Sequence, residues 1–213
     1  MVFDLKHSFP LAARILKEEL GVFGMLHCFL CFGWRQLWQK PFAALQRQNP
    51  ISPAEALTRH QLEPVLILDA VLGLDLKLSQ ERTRSVLKRI VGESGARFIQ
   101  FAVKNPPPEA WHQKSVSAKN EFAQKGLQQF FNAEAEVVSA PNAHFAFDVK
   151  ACHFVGLARE LGRPDLAPLF CGADETLFNR PELKVLMTRE ETLAQGHDRC
   201  AFRFQWDESE TSD

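Results

Sequence analysis

The chain has 213 residues, 46% of them hydrophobic and 24% charged, the balance of a folded globular protein and not of a disordered one. Twenty-five Lys and Arg against twenty-six Asp and Glu leave a net charge of -1, without the basic excess that a nucleic-acid partner requires. Eighteen Phe and no Tyr exclude a phenolic acid or oxyanion donor.

The opening residues lack the basic start, apolar run and small-residue cleavage site of a secretory signal. The longest apolar patch, residues 22–34, is interrupted by His27 and is too short for a confident membrane span. A cytoplasmic protein without a transmembrane segment is expected, with the patch forming a buried core helix and peripheral membrane or partner contact as the alternative. The five cysteines, Cys28, Cys31, Cys152, Cys171 and Cys200, are an odd set, which suits free thiols, ligands or packed small hydrophobes better than a disulfide framework.

In chain order, residues 10–20 form an amphipathic helix closed by Gly21, and the apolar helix follows toward Pro41. Ser52 and Pro53 open another helix, and residues 62–76 continue in helical tendency with Pro64 placed to kink or restart them. Ser79 opens a clearer amphipathic helix to about Gly92, and residues 97–103 suit either helix or strand. Asn105 and Pro106 to Pro108 make a stiff connector, after which residues 117–131 form a helix offering Phe122, Leu127, Phe130 and Phe131 for packing.

The period then changes to two. Residues 135–139 and 145–149 are strand candidates joined by a turn at Pro141 and Asn142, and residues 183–188 and 199–206 are a second pair. Between the pairs, residues 152–161 form a helix, Asp165 caps a short one to Phe170, and residues 174–178 add a further turn. The expected fold is α+β: a helical subregion, 1–131, packed against an α/β subregion, 132–206, with a mainly antiparallel sheet of about four strands in one compact domain. Residues 207–213 are an acidic tail.

Residues able to do chemistry gather at the edges of these elements: Cys152 and His153, Cys171 and Asp174, then His197, Asp198 and Cys200. A thiolate attacks electron-poor carbon or binds soft metals, and an imidazole moves a proton near neutral pH. Cys171, placed just before a helix start at Asp174, is the candidate for a thiol activated by a helix N-terminus. Packing remains the plain alternative for Cys152 and Cys200, capping for Asp174, and a polar turn for His197. Cys152, Cys171, His197 and Cys200 are also the candidate ligands should zinc or iron be bound, although none of them has compact two-ligand spacing. Cys28 and Cys31 do have that spacing, but within an apolar helical run that favours packing. Arg199 and Arg203 share a strand face with Gln205 and suit either carboxylate binding or plain exposure. Glycine-rich nucleotide loops, a His-Glu-x-x-His helix and a serine nucleophile elbow are absent.

Phe147, Val149 and Cys152, then Gly162, Pro164, Leu166 and Pro168, then Cys171 and Asp174, and finally Thr192, Leu193, Gly196 and the CAFRF run from Cys200 to Phe204 resemble the L-2-amino-thiazoline-4-carboxylic acid hydrolase family, mainly over residues 145–206. Ala201 stands where that family often carries an acidic residue. The resemblance implies hydrolytic opening of a small cyclic sulfur and nitrogen substrate such as a thiazoline carboxylate, with no required cofactor. It favours Cys171, Asp174 and Cys200 as the site, with Cys152 nearby. Because a scaffold does not fix a reaction, a non-catalytic small-molecule or metal-cofactor-binding protein and a protein-interaction scaffold, including a homo-oligomer, are the alternatives.

Overall fold

The computed structural model describes residues 8–45, 51–102, 115–128, 130, 132–140, 144–183 and 185–206. The proline connector at 105–108, the turn at Pro141 and Asn142, Phe131 and the acidic tail lie outside the described residues. A helical bundle comes first: α1 (Phe9–Trp38), α2 (Pro53–Ala70), α3 (Gln80–Ala102) and α4 (Val116–Leu127). Strands β1 (Ala133–Ser139) and β2 (His144–Cys152) follow, then α5 (His153–Glu160), α6 (Ala167–Phe178), β3 (Val185–Thr188) and β4 (Cys200–Trp206). The four strands make an open antiparallel sheet in the order β1-β2-β4-β3, so the two central strands come from different hairpins.

Local sequence explains most boundaries. Gly21 interrupts α1 with φ 71°, a conformation that costs a residue without Cβ little. Ser52 accepts a hydrogen bond from the Glu55 amide and caps α2, with Pro53 in its first turn. Pro64 does not split α2 as expected: Leu62, Val65, Leu66 and Leu68 are buried, and that packing holds the helix across the missing amide before residues 71–75 widen into a π turn.

The helix begun at Ser79 likewise runs past Gly92, and residues 97–102 belong to it, which resolves their ambiguity. Gly92 and Gly95 serve as contact points with α6: a Cβ at Gly95 would lie 2.5 Å from Ala173 Cβ, and one at Gly92 would lie 2.8 Å from Thr176 Oγ1. The two helix backbones approach closely because these side chains are missing.

The first core joins α1, α2, α3 and α5 through residues such as Ile15, Leu16, Leu62, Leu87 and Leu157. A second lies on one face of the sheet, where Phe147, Val149, Cys200, Phe202, Phe204 and Met187 meet Leu127 of α4. Phe147 and Phe202 stack with ring centroids 4.6 Å apart at directly opposed positions. The apolar patch at 22–34 departs in part from the expected core helix. One side of that stretch does join the core, with Cys28 fully buried and Met25, Phe29 and Phe32 packed against it, while Phe23 is 89% and Leu30 75% exposed on the side turned away from α2 and α3. Among the described residues, no helix is long and apolar enough to cross a membrane.

Gly95→Ala is expected to lower stability by about 1–3 kcal/mol through overpacking against Ala173, despite the better helix propensity of alanine. Gly126→Ala, where a Cβ meets nothing within 4 Å, is expected to stabilise by up to about 1 kcal/mol. Urea unfolding of the two variants checks the pair; equal effects would remove the close-approach explanation.

Candidate active site

Helix α6 sets the position of two expected site residues. The helix is continuous from Ala167 to Phe178 because Leu169, Ala173 and Leu177 form one buried stripe and Gly172 lies buried toward Gly92 of α3. Cys171 therefore stands inside the helix and not before a helix start. The expected activation of its thiol by free N-terminal amides does not apply, since those amides belong to the first turn. Burial instead pushes the Cys171 thiol up to about 12, against the opposing pull of Arg189.

The side chain that organises this region is Arg189, which directly follows β3. It is 2% exposed and donates from Nη1 to Asp174 Oδ2 at 2.7 Å and from Nη2 to the Cys171 carbonyl at 2.9 Å. Nη2 also reaches Glu175 Oε1 at 3.1 Å, and the guanidinium carbon lies 4.8 Å from the centroid of the Phe202 ring. Among the described residues its Nε–H is buried and has no hydrogen-bond partner. Asp174 is pushed up to about 6 by burial, with Arg189 acting in the opposite direction, and 22% of its side chain stays exposed. Water can therefore reach the carboxylate, while its arginine partner is enclosed.

Cys152 and Cys200 complete the cluster from the sheet. Cys152 ends β2, Cys200 begins β4 opposite Val149, and both join the sheet's apolar core. With Asp174 they are near enough to act electrostatically on the Cys171 thiol. Burial raises both thiols, against the Phe154 and Val155 amides at Cys152 and against the Leu193 amide at Cys200. The Leu193 N–H donates to Cys200 Sγ at 3.2 Å, from a turn that Thr192 caps by accepting the Gln195 amide. All three thiols are thus held in the protonated form at neutral pH.

The other expected residues lie elsewhere. Arg203, on the opposite face of β4, and Arg199, in the bend just before that strand, both bond Asp148 of β2, at 2.9 Å and 3.1 Å. Asp148 is 2% exposed, and Arg199 also holds Glu191 at 2.7 Å, so both arginines are engaged by carboxylates of their own chain. His197 is exposed and lines a polar cleft of about 420 Å³ with Lys150, Glu191, Asp198 and Arg199. Among the described residues, no group of three His, Cys, Asp or Glu is placed to hold a metal ion. Cys28 is buried, its thiol pushed up to about 12 by that burial, and Cys31 is half-buried beside it.

Sequence reasoning missed Arg189 because it opens the charged run Arg189-Glu190-Glu191, which reads as a solvated loop. The available signal was its place immediately after an apolar strand candidate. Asp148 was hidden by strand alternation, which assigns it to a solvent face when the arginines in fact cover it.

The model of the L-2-amino-thiazoline-4-carboxylic acid hydrolase family matches residues 74–204, which take in α3 through most of β4 and every residue of the Arg189 cluster. The chain belongs to this family. No curated protein matches it. The family match is wider than the residues that first suggested the resemblance, and extends over the α3–α6 contact as well as the sheet.

Native Cys171 is expected to react with iodoacetamide at pH 8 at least about tenfold more slowly than in urea, since burial suppresses both its thiolate and access to it. Peptide mass spectrometry checks this; equal rates would mean that the thiol is open and activated.

Proposed function

We propose that the cluster around Arg189 and Asp174 hydrolyses a small cyclic sulfur and nitrogen carboxylate of the thiazoline type. The observation that carries this reading is the family match over residues 74–204, which includes Asp174, a partly water-exposed carboxylate raised to about 6 beside the enclosed Arg189. Arg189 is bonded to Asp174 from inside the protein and so holds that carboxylate in place while leaving part of it open to water.

Asp174, with a proton affinity near 6, is ionised in most molecules at neutral pH and still basic enough to take a proton from water. In the proposed step that water adds to the amidine-like ring carbon as its proton passes to Asp174. The addition moves the carbon–nitrogen double-bond pair onto nitrogen; that pair re-forms the double bond as the ring carbon–sulfur bond breaks, Asp174 gives its proton to the departing sulfur, and the resulting isourea shifts its remaining hydroxyl proton to nitrogen to become a urea. One water is added and no other reagent is consumed. The protonated thiols of Cys152, Cys171 and Cys200 form a soft wall of low polarity, which strengthens the electrostatics of the pair.

The test is turnover of L-2-amino-thiazoline-4-carboxylate, read as the gain of one water by mass spectrometry. Wild-type kcat/KM is expected to fall as pH drops below about 6, because protonation of Asp174 removes the base. Asp174→Asn is expected to lose about 10²–10⁴-fold in kcat. Cys171→Ala is expected to stay within about tenfold of wild type, since a thiol held in its neutral form contributes no nucleophile. An active Asp174→Asn, or an inactive Cys171→Ala of wild-type stability, would transfer the chemistry to the thiol.

A further inference from the structure

The second half of α1 presents Phe23, Leu26, Leu30, Trp34, Leu37 and Trp38 at 89%, 49%, 75%, 66%, 71% and 72% exposure. Their spacing places them along one stripe of the helix. Together they offer on the order of 800 Å² of mostly apolar surface, about what one partner contributes to a standard interface and above the usual largest patch of a monomer.

The stripe is also symmetric about Leu30. Leu26 and Trp34 stand four residues to either side of it, and Phe23 and Leu37 stand seven. A two-fold axis through Leu30 superposes such a stripe on itself with the helices antiparallel, which is the requirement of an isologous contact. In that register Phe23 of one copy meets the Leu37 and Trp38 end of the other. A shallow, open depression lined by Trp34, Arg35, Trp38 and Gln39 lies at that end, and an aromatic side chain can pack against it.

Charge argues for the same occupant. A membrane-lying helix flanks its apolar face with free Lys and Arg, but Arg35 is tied to Asp75 at 2.6 Å and Lys40 is the other basic residue after Lys17 in this segment. With a formal charge of -1 per chain, a second copy meets almost no long-range repulsion. We infer that α1 is the interface of a homodimer, paired antiparallel with a second copy about Leu30.

The inference is independent of the hydrolytic reading, and its test reads mass alone. Light scattering on the full chain is expected to give twice the 24.2 kDa of one chain for the wild type. Leu30→Glu, which places two carboxylates against each other at the axis, is expected to halve that mass while circular dichroism is unchanged. Trp34→Glu, off the axis, is the second variant should the first misfold. A monomeric wild type overturns the inference, in favour of a membrane if it sediments with phosphatidylglycerol vesicles and in favour of cover from elsewhere if it does not. A wild-type dimer that both folded variants retain overturns it equally, since the contact then lies on another face.

Discussion

A guanidinium enclosed in protein must be compensated where it stands, and Arg189 is compensated by groups from two layers at once. Its hydrogen bonds go to Asp174, Glu175 and the Cys171 carbonyl of α6, and its flat face lies on Phe202 of β4. Removing the α6 partners would leave a buried charge unpaired, at a cost of about 3–5 kcal/mol, and removing Phe202 would forfeit a cation–π contact worth about 0.5–2 kcal/mol. The helix and the sheet are therefore fixed relative to each other at this point. That fixed relation brings two thiols of the sheet, Cys152 and Cys200, toward the α6 pair of Cys171 and Asp174.

The same anchor makes demands on the bundle behind it. Helix α6 can present Cys171 and Asp174 on one side only if its other side lies close to α3, and the bare backbones at Gly92 and Gly95 permit that approach. The inclusion of α3 in the matched family segment has a physical reason in this contact. A site made of sheet, loop and α6 residues alone would lack the support that sets the depth of α6.

The two faces of the sheet divide the work. The aromatic face, built on Phe147, Phe202 and Phe204, supplies the apolar surroundings that raise Asp174 and keep the thiols neutral. The opposite face carries Asp148 under Arg199 and Arg203, a charge pairing that seals that side and uses both arginines within the chain. Arg189 differs from Arg199 and Arg203 in its deep burial and in the Nε–H it leaves without a hydrogen-bond partner among the described residues.

The sequence by itself determined the α+β class, all four strands, and the caps at Ser52 and Ser79. These follow from periodicity and local hydrogen bonding, which act over a few residues. It did not determine that α2 continues through Pro64 or that α6 continues through Gly172, because long-range burial overrides both local signals. Period-two alternation already set Arg199 and Arg203 apart from Cys200, but it did not place His197, which the turn before β4 carries to an exposed polar cleft. Nor could it show that Arg189 enters the core or that one stripe of the apolar half of α1, through Phe23, Leu26, Leu30 and Trp34, stays outside it. Tertiary structure alone decided both, because whether a side chain meets protein or water depends on residues distant in the chain.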